Sequence, residues 1–181
     1  IRILKPLGED TSIMRTTVLP SMLESLSRND NYRNKDVRLY ELGRTYFKRE
    51  DGLANEPEIL CMGTYGDETD FFTIKGWVET LLDSFGIRNA KYVKDSENPS
   101  YHPGRCAKVY LGEDCLGTFG QIDPRVMANY SIDSEFYCAE LSFKVLFAHK
   151  GGRPVYAPLP RFPSTTRDIA VVCDNATPVG D

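Results

Sequence analysis

The stretch from Asp36 to Glu50 is the part of the sequence that most constrains the fold. Its first strand-like positions form two interleaved sets, Val37, Leu39, Glu41 and Gly43 in one and Arg38, Tyr40, Leu42 and Arg44 in the other. Both sets contain bulky side chains, and a strand with bulk on both faces is typical of a sheet interior that is covered on each side. The pattern predicts a long central strand that ends in a charged cluster over residues 48–51.

An amphipathic helix is predicted to lead the chain into this strand. Its apolar face recurs at helical spacing and consists of Leu19, Met22, Leu23 and Leu26. Thr16 or Thr17 is the predicted N-cap, and Pro20 is tolerated in the first helical turn. We expect this helix to have a structural role.

The segments that follow alternate between strand and helix patterns. Further strands are predicted over residues 58–66, 91–94 and 136–143. Gly112 to Asp114 separates two more strands and predicts a β-hairpin. A second amphipathic helix is predicted within residues 71–87, with Gly86 as its C-terminal cap.

A short helix is predicted to begin at Asp123, as the N-cap, and Pro124, as the first helical residue. Strands joined by hairpins, with helices between them, are typical of an α+β fold in which helices flank an antiparallel-dominated sheet. A doubly wound parallel fold would require regular strand–helix alternation and usually a glycine-rich phosphate turn. The sequence has neither feature.

The amino-acid composition of the chain changes after residue 150. Two glycines and four prolines fall within residues 150–163, which predicts an extended linker. Residues 164–174 have the β-branched content of a strand, but one strand cannot form a domain. We therefore predict a core domain over residues 1–150, with residues 151–181 as a linker and the start of a truncated second domain.

Composition narrows the function classes. The 181 residues carry a net charge of −4, which provides no global attraction for nucleic acid, and no apolar run is long enough to cross a membrane. The chain opens on Ile1, so we expect an excised piece. The odd number of cysteines without a CxxC pair predicts free, buried thiols in a reducing compartment. His102 and Cys106 lack a second close pair, so we predict no metal site.

The residues indicate little catalytic capacity. No glycine-rich phosphate loop and no nucleophile elbow occurs, and only two histidines are available as bases. His102 lies in a predicted loop, where a turn residue is a more common explanation than a general base. The cluster of Lys48, Arg49, Glu50 and Asp51 is more typical of a solvated strand end than of a phosphate site.

Six stretches share their order and spacing with one known family. They are PLGEDTSIMRTTVLPSMLESLSRN, VRLYELGRTYF, FFTIKGWVETLL, HPGR, GTFGQIDPRV and PLPRFPSTTRDIAVVCD. Together they resemble the β subunits of bacterial-type phenylalanyl-tRNA synthetases along nearly the whole chain. The resemblance implies a class II synthetase-like core, followed from about Pro154 by the first strand of a ferredoxin-like anticodon-binding domain.

The resemblance also implies that the core is catalytically degenerate. In catalytic class II cores, motif 2 carries an arginine that binds the α-phosphate of ATP, and arginine suits this task because its planar fork binds phosphate bidentately. Against the pattern Gly-x-Val-[Phe/Tyr]-Arg, the chain has Gly43 to Phe47, so Phe47 stands at the arginine position. Asp123 stands where the catalytic pattern has histidine, and residues 137–150 lack the glycines and the arginine of motif 3. We therefore predict no catalytic residue.

Partners and cofactors follow from the same resemblance. It implies an α2β2 assembly with the catalytic α subunit, binding of tRNA through the C-terminal domain, and a cytoplasmic location. ATP and magnesium are implied for the whole complex and no cofactor for this fragment, while motif 1 is expected just before Ile1. Arg161 and Arg167 are candidates for tRNA proximity, although a salt bridge is the more common role for such residues.

Two other functions remain open from the sequence. A self-contained ATP-dependent class II synthetase or ligase would need a phosphate-binding arginine near motif 2, for which Arg44 and Arg49 are the candidates. A free-standing nucleic-acid-binding module is disfavoured by the acidic charge balance.

Overall fold

The computed structural model describes residues 1–152, 156, 158, 161–174 and 177. Its strands are β1 (Val37–Arg44), β2 (Phe47–Lys48), β3 (Ala54–Asn55), β4 (Glu58–Tyr65), β5 (Ala90–Lys94), β6 (Tyr101–Leu111), β7 (Asp114–Ile122) and β8 (Tyr137–Ser142). Six of them form one sheet in the order β1-β4-β8-β7-β6-β5, with every neighbouring pair antiparallel. The short strands β2 and β3 pair separately as a hairpin.

Four α-helices accompany the sheet in the described part of the chain. They are α1 (Leu19–Asn31), α2 (Phe71–Ser84), α3 (Pro124–Ala128) and α4 (Phe143–Ala148). A mixed architecture with a mainly antiparallel sheet is therefore confirmed. None of the helices in the described ranges combines the length and the apolar character needed to span a bilayer.

Two hydrophobic cores cover the two faces of the sheet. The face beneath α1, named here the α1 face, is covered by the four predicted apolar residues of that helix, Leu19, Met22, Leu23 and Leu26. The opposite face, named the α2/α4 face, is packed around Phe119 and includes Ile74, Val78, Leu82 and Leu146. Strands β4 and β8 are accordingly buried for most of their length on both sides.

The position of β1 corrects a prediction. The stretch from Asp36 to Glu50 was expected to be one long central strand, but β1 ends at Arg44 and lies at the edge of the sheet. The side chain set that contains Tyr40 and Leu42 is not covered, since these two residues are 80% and 50% exposed. The alternation of residues along a strand shows that both of its faces carry bulky side chains. Whether another layer of the protein packs against each face is decided by the tertiary structure.

Local turn and cap chemistry agrees with the sequence. The hairpin between β6 and β7 turns through Gly112 at φ +62°, and Gly86 follows α2 at φ +70°, a region that favours glycine because it has no Cβ. Asp123 caps α3 through a hydrogen bond that its carboxylate accepts from the Arg125 amide, 2.8 Å away. The predicted hairpin turn, the predicted end of α2 and the predicted start of α3 are therefore confirmed.

The chain beyond the core forms no strand in its described part. Residues 161–174, which include the whole of the predicted second-domain strand over 164–174, are exposed and pair with no other described segment. A β-strand needs the backbone groups of a neighbour to satisfy its own, so β-branched composition alone does not produce one. The predicted linker over 150–163 lies partly outside the described residues.

Candidate functional site

The α1 face of strands β1, β4 and β8 is the candidate site, because it joins the two segments in which motifs 2 and 3 were sought. β1 pairs with β4 and β4 pairs with β8, so residues that are distant in sequence lie on adjacent or next-adjacent strands. The α1-face positions of β1 and β8 include Glu41 and Glu140, and Cys61 of β4 lies between them in register. No lysine or arginine belongs to these three strands on this face.

Arg15 brings a cation to this face from the segment before α1. Its Nη2 atom donates to Oε1 of Glu41 at 2.7 Å, and its Nη1 atom donates to Oγ of Ser21 at 2.9 Å. Its Nε atom donates to the carbonyl oxygen of Arg44 at 2.9 Å. All three nitrogens of the guanidinium group therefore have partners within the chain, and the positive charge is matched by a carboxylate.

Glu140 of β8 accepts hydrogen bonds from the start of α1. Its Oε1 atom accepts hydrogen bonds from Oγ1 of Thr17 at 2.6 Å, from the Val18 amide at 2.8 Å and from the Leu19 amide at 3.2 Å. The first amides of a helix lack intrahelical partners and lie at the positive end of its dipole, so a carboxylate there is favourable. The chain itself thus places an anion at the position where this helix end would bind one.

This contact also corrects the predicted N-cap. The N-cap residue of α1 is Val18, whose side chain makes no capping hydrogen bond, rather than Thr16 or Thr17. Thr17 contributes through its hydroxyl, which donates to Glu140 and accepts from the Leu19 amide at 3.1 Å. Sequence reasoning missed Arg15, Glu41 and Glu140 because their partners lie 26 and up to 123 residues away.

The residues considered for motif 2 lie at the end of β1 and in the β2–β3 hairpin that follows it. Phe47, which the resemblance predicts to stand at the arginine position of motif 2, lies in β2, pairs with Asn55 and is 42% exposed. Arg49 forms an ion pair with Asp51 at 2.8 Å. Arg44 is 3.4 Å from Glu56 and 3.6 Å from Glu58. Both arginines therefore have carboxylate partners within the chain.

Comparisons with known proteins agree with this architecture. A family model described as the phenylalanyl tRNA synthetase beta chain CLM domain matches residues 1–143. The chain belongs to this family. Among its curated relatives, the phenylalanine–tRNA ligase beta subunit of Clostridium tetani is 42% identical over 100% of this chain and 23% of that protein. The corresponding subunit of Geobacter sulfurreducens is 38% identical over 97% of this chain and 24% of its own length. The chain is thus a domain that spans about a quarter of these beta subunits.

Solved structures support the fold. Two structures of pyrrolysyl-tRNA synthetase from Desulfitobacterium hafniense superpose with TM-scores of 0.59 and 0.64 at 17% and 18% sequence identity. They cover 73% and 78% of this chain, and 48% and 51% of the matched chains. At this identity the similarity concerns the fold alone, and it shows that this domain of the phenylalanyl-tRNA synthetase beta chain has a synthetase-like fold.

The other residues singled out from the sequence have local roles in this domain. His102 lies within β6 rather than in a loop, and its Nδ1 atom accepts a hydrogen bond from the Gly104 amide at 3.1 Å. Arg161 and Arg167 lie in the exposed segment 161–174. Among the described residues, no group of three or more His, Cys, Asp or Glu side chains could hold a metal ion.

The buried thiols are held in their neutral form. Burial raises the pKa of Cys61, Cys106 and Cys138, that of Cys106 to about 12. Because the thiolate is the reactive form, these three cysteines are poor nucleophiles and metal ligands. Cys115 and Cys173 are exposed, so the expectation of buried thiols holds for three of the five.

Asp123 is a structural carboxylate rather than a substitute for a catalytic histidine. It is buried, and its Oδ1 and Oδ2 atoms accept hydrogen bonds from Nε and Nη2 of Arg125, each at 2.9 Å. These bonds, with the one from the Arg125 amide, lower the pKa of Asp123 from 3.8 to about 2. Because the folded state binds this proton less readily than the unfolded state, the carboxylate stabilises the fold above about pH 4 and loses this effect as the pH falls towards 2.

Substitution of Asp123 by asparagine is therefore expected to produce a pH-dependent loss of stability. Asparagine can still cap α3, so the substitution removes mainly the carboxylate charge that pairs with Arg125. Urea unfolding should show a constant difference from wild type above about pH 5 and a shrinking difference between about pH 4 and pH 2. A difference that stays constant over that range would contradict the assignment of the lowered pKa to Asp123.

Proposed function

We propose that this domain is a non-catalytic core of the β subunit of phenylalanine–tRNA ligase, which attaches phenylalanine to its tRNA with ATP. In this proposal the domain supports the catalytic α subunit in an α2β2 assembly and positions the anticodon-binding domain. The complex as a whole uses ATP and magnesium, and this fragment holds neither.

The proposal rests on the observation that the chain's own side chains occupy the α1 face. Motif 2 and motif 3 act by presenting arginines to phosphate, yet Phe47 occupies the motif 2 position and β8 and α4 contain no arginine. The cation that does reach the α1 face, Arg15, is paired with Glu41. The helix end that could bind an anion is occupied by Glu140. A site of this kind disfavours the triphosphate of ATP.

The self-contained ligase has no specific observation in its favour. Its candidate arginines are paired with carboxylates of the chain, Arg44 with Glu56 and Glu58 and Arg49 with Asp51. Arg44 also belongs to the β1 set that faces away from the α1 face, the set with Arg38, which stacks on Trp77 of α2.

The isolated chain is expected to show no phenylalanine-dependent exchange of pyrophosphate into ATP. Each missing charge-assisted contact to the reacting phosphates accounts for about 100-fold in rate, so the chain should fall at least about 10,000-fold below the complete ligase. The complete assembly in the same assay is the positive control. Calorimetric titration of the folded chain with ATP should show no specific binding, and robust exchange without the α subunit would refute the proposal.

The remainder of the chain fits a connecting role. We propose that the core extends over residues 1–150 and that residues 151–181 are a linker and the start of a ferredoxin-like anticodon-binding domain, whose first strand forms only when other strands of that domain pair with it. Arg161 and Arg167, which lie in the exposed part of this segment, are our candidates for tRNA proximity. We propose a cytoplasmic location for the protein, in keeping with the proposed function in translation.

A further inference from the structure

The three residues that follow α4 attach the end of the core to three different elements. Nε2 of His149 donates to Oδ2 of Asp114, the first residue of β7, at 2.8 Å. Nζ of Lys150 lies 4.0 Å from the centre of an aromatic ring of α4. The Gly151 amide donates to the carbonyl oxygen of Phe85, the C-cap residue of α2, at 2.8 Å. These three consecutive residues are named here the exit clasp.

The Gly151 hydrogen bond satisfies a backbone group at the end of α2. The last carbonyl groups of a helix have no partner within the helix. After Phe85 the chain turns at Gly86, which has φ +70° and donates its amide to the carbonyl oxygen of Asp83 at 2.9 Å. The carbonyl oxygen of Phe85 accepts its hydrogen bond from Gly151 instead. The exit clasp therefore supplies a bond that the end of α2 requires.

The exit clasp also depends on a close approach of two backbones. A Cβ on Gly151 would lie 2.5 Å from the carbonyl oxygen of Gly86 and 3.2 Å from its Cα atom. Because these atoms belong to the backbone, no change of rotamer could relieve the contact. A Cβ on the next residue, Gly152, would meet no atom of the described residues within 4 Å. Of two adjacent glycines, contact with the core thus restricts only Gly151.

The chain is attached to the core up to Gly151 and leaves it after that residue. Residues 161–174 are exposed, and none of them forms a hydrogen bond with the described part of the core. The exit clasp is therefore the last attachment among the described residues. Three attachments over three consecutive residues fix both the position and the direction of the departing backbone, which a single contact would not do.

We propose that the exit clasp sets the direction in which the chain leaves the core and thereby positions the C-terminal segment, residues 153–181, with the domain that it begins. The inference rests on the proposed function, in which that domain binds tRNA. A ligand that contacts two linked sites binds more tightly only if the geometry allows both contacts at once. A fixed exit direction limits the orientations of the C-terminal domain, so that tRNA held there also reaches the catalytic subunit.

Hydrogen exchange in the complete β subunit tests the exit clasp itself. Gly151→Ala introduces the colliding Cβ, so the amide at position 151 should exchange about 10-fold faster than in wild type, because its bond to Phe85 is lost. Gly152→Ala is the matched control and should leave that amide within about 2-fold of wild type. His149→Ala removes the contact with Asp114 without adding an atom and should accelerate the same amide. Thermal melting checks that each variant is folded, and equal exchange in the two glycine variants would overturn the proposal.

Charging of tRNA by the complete ligase tests the positioning role. Gly151→Ala should raise the KM for tRNA about 10-fold, whereas Gly152→Ala should resemble wild type. Exchange of pyrophosphate into ATP needs only phenylalanine and ATP, so it should be unchanged in both variants. The positioning role is refuted if both variants charge tRNA like wild type, or if Gly151→Ala lowers exchange and charging by the same factor. The proposed function is tested separately, by pyrophosphate exchange with the isolated wild-type chain, and its failure would leave the two glycine variants to be compared by hydrogen exchange.

Discussion

Gly117→Ala is expected to destabilise the domain by about 3 kcal/mol, at the upper end of the range for an inserted methyl group. Gly117 lies in the interior strand β7, opposite Leu141 of β8. A Cβ at this position would collide with the carbonyl oxygen of Glu140 and would lie 2.9 Å from the Leu141 Cα atom. Because both contacts are with backbone, no rotamer change can relieve them. Urea unfolding of the isolated chain measures the loss.

Gly76→Ala is the matched control for this substitution. Gly76 lies in α2, and a Cβ there would meet no atom within 4 Å. Alanine is a better helix former than glycine, so this variant should gain about 0.5–1 kcal/mol. Opposite signs for the same chemical change would tie the effect at Gly117 to the close approach of β7 and β8. A loss below about 1 kcal/mol at Gly117 would show that the strands can separate there at little cost.

Glu140→Ala is expected to cost about 3 kcal/mol, since it leaves two partly buried donors without an acceptor and removes one of the two acceptors of a third. The Thr17 hydroxyl and the Val18 amide lose their acceptor, whereas the Leu19 amide keeps its hydrogen bond to Oγ1 of Thr17. Loss of an ordinary N-cap costs about 1 kcal/mol, so the larger value reflects the link between β8 and α1 in addition to the cap. The free energy of unfolding and the hydrogen exchange of the first turn of α1 both report this loss.

Two further variants distinguish the contribution of the Glu140 charge to stability from the contribution of its position. Glu140→Gln keeps one oxygen acceptor and should lose about half as much as the alanine variant, because hydrogen bonds to a charged group are about twice as strong as neutral ones. Glu24→Ala removes the same charge from an exposed position on α1 and should stay within about 0.5 kcal/mol of wild type. If Glu24→Ala and Glu140→Ala cost the same, the long-range cap has no special role.

The local parts of the fold could be predicted because their causes are local. Leu19, Met22, Leu23 and Leu26 form the buried face of α1 as their spacing predicts. Gly112 and Gly86 adopt positive φ at the predicted hairpin and helix end. Asp123 caps α3 as its position before Pro124 predicts. In each case the deciding contacts lie within a few residues along the chain.

For the candidate site the sequence provides one expectation, the absence of the motif 2 arginine, and this expectation stays a prediction. Counting from Gly43 places Phe47 where catalytic cores have arginine, and this requires no structure. The residues that occupy the α1 face could not be found in this way. Arg15 meets Glu41 and Thr17 meets Glu140 only after β1, β4 and β8 have been paired in one particular register.

The sequence by itself determined the positions of α1, α2 and α3, the turns and the antiparallel character of the sheet. Only the tertiary structure decided that β1 lies at the edge of the sheet, that Tyr40 and Leu42 are exposed, and that Glu140 caps α1. The physical reason is the range of the forces. Propensity, capping and periodicity act within one turn or one strand, whereas the order of strands and the pairing of distant charges depend on which layers pack together.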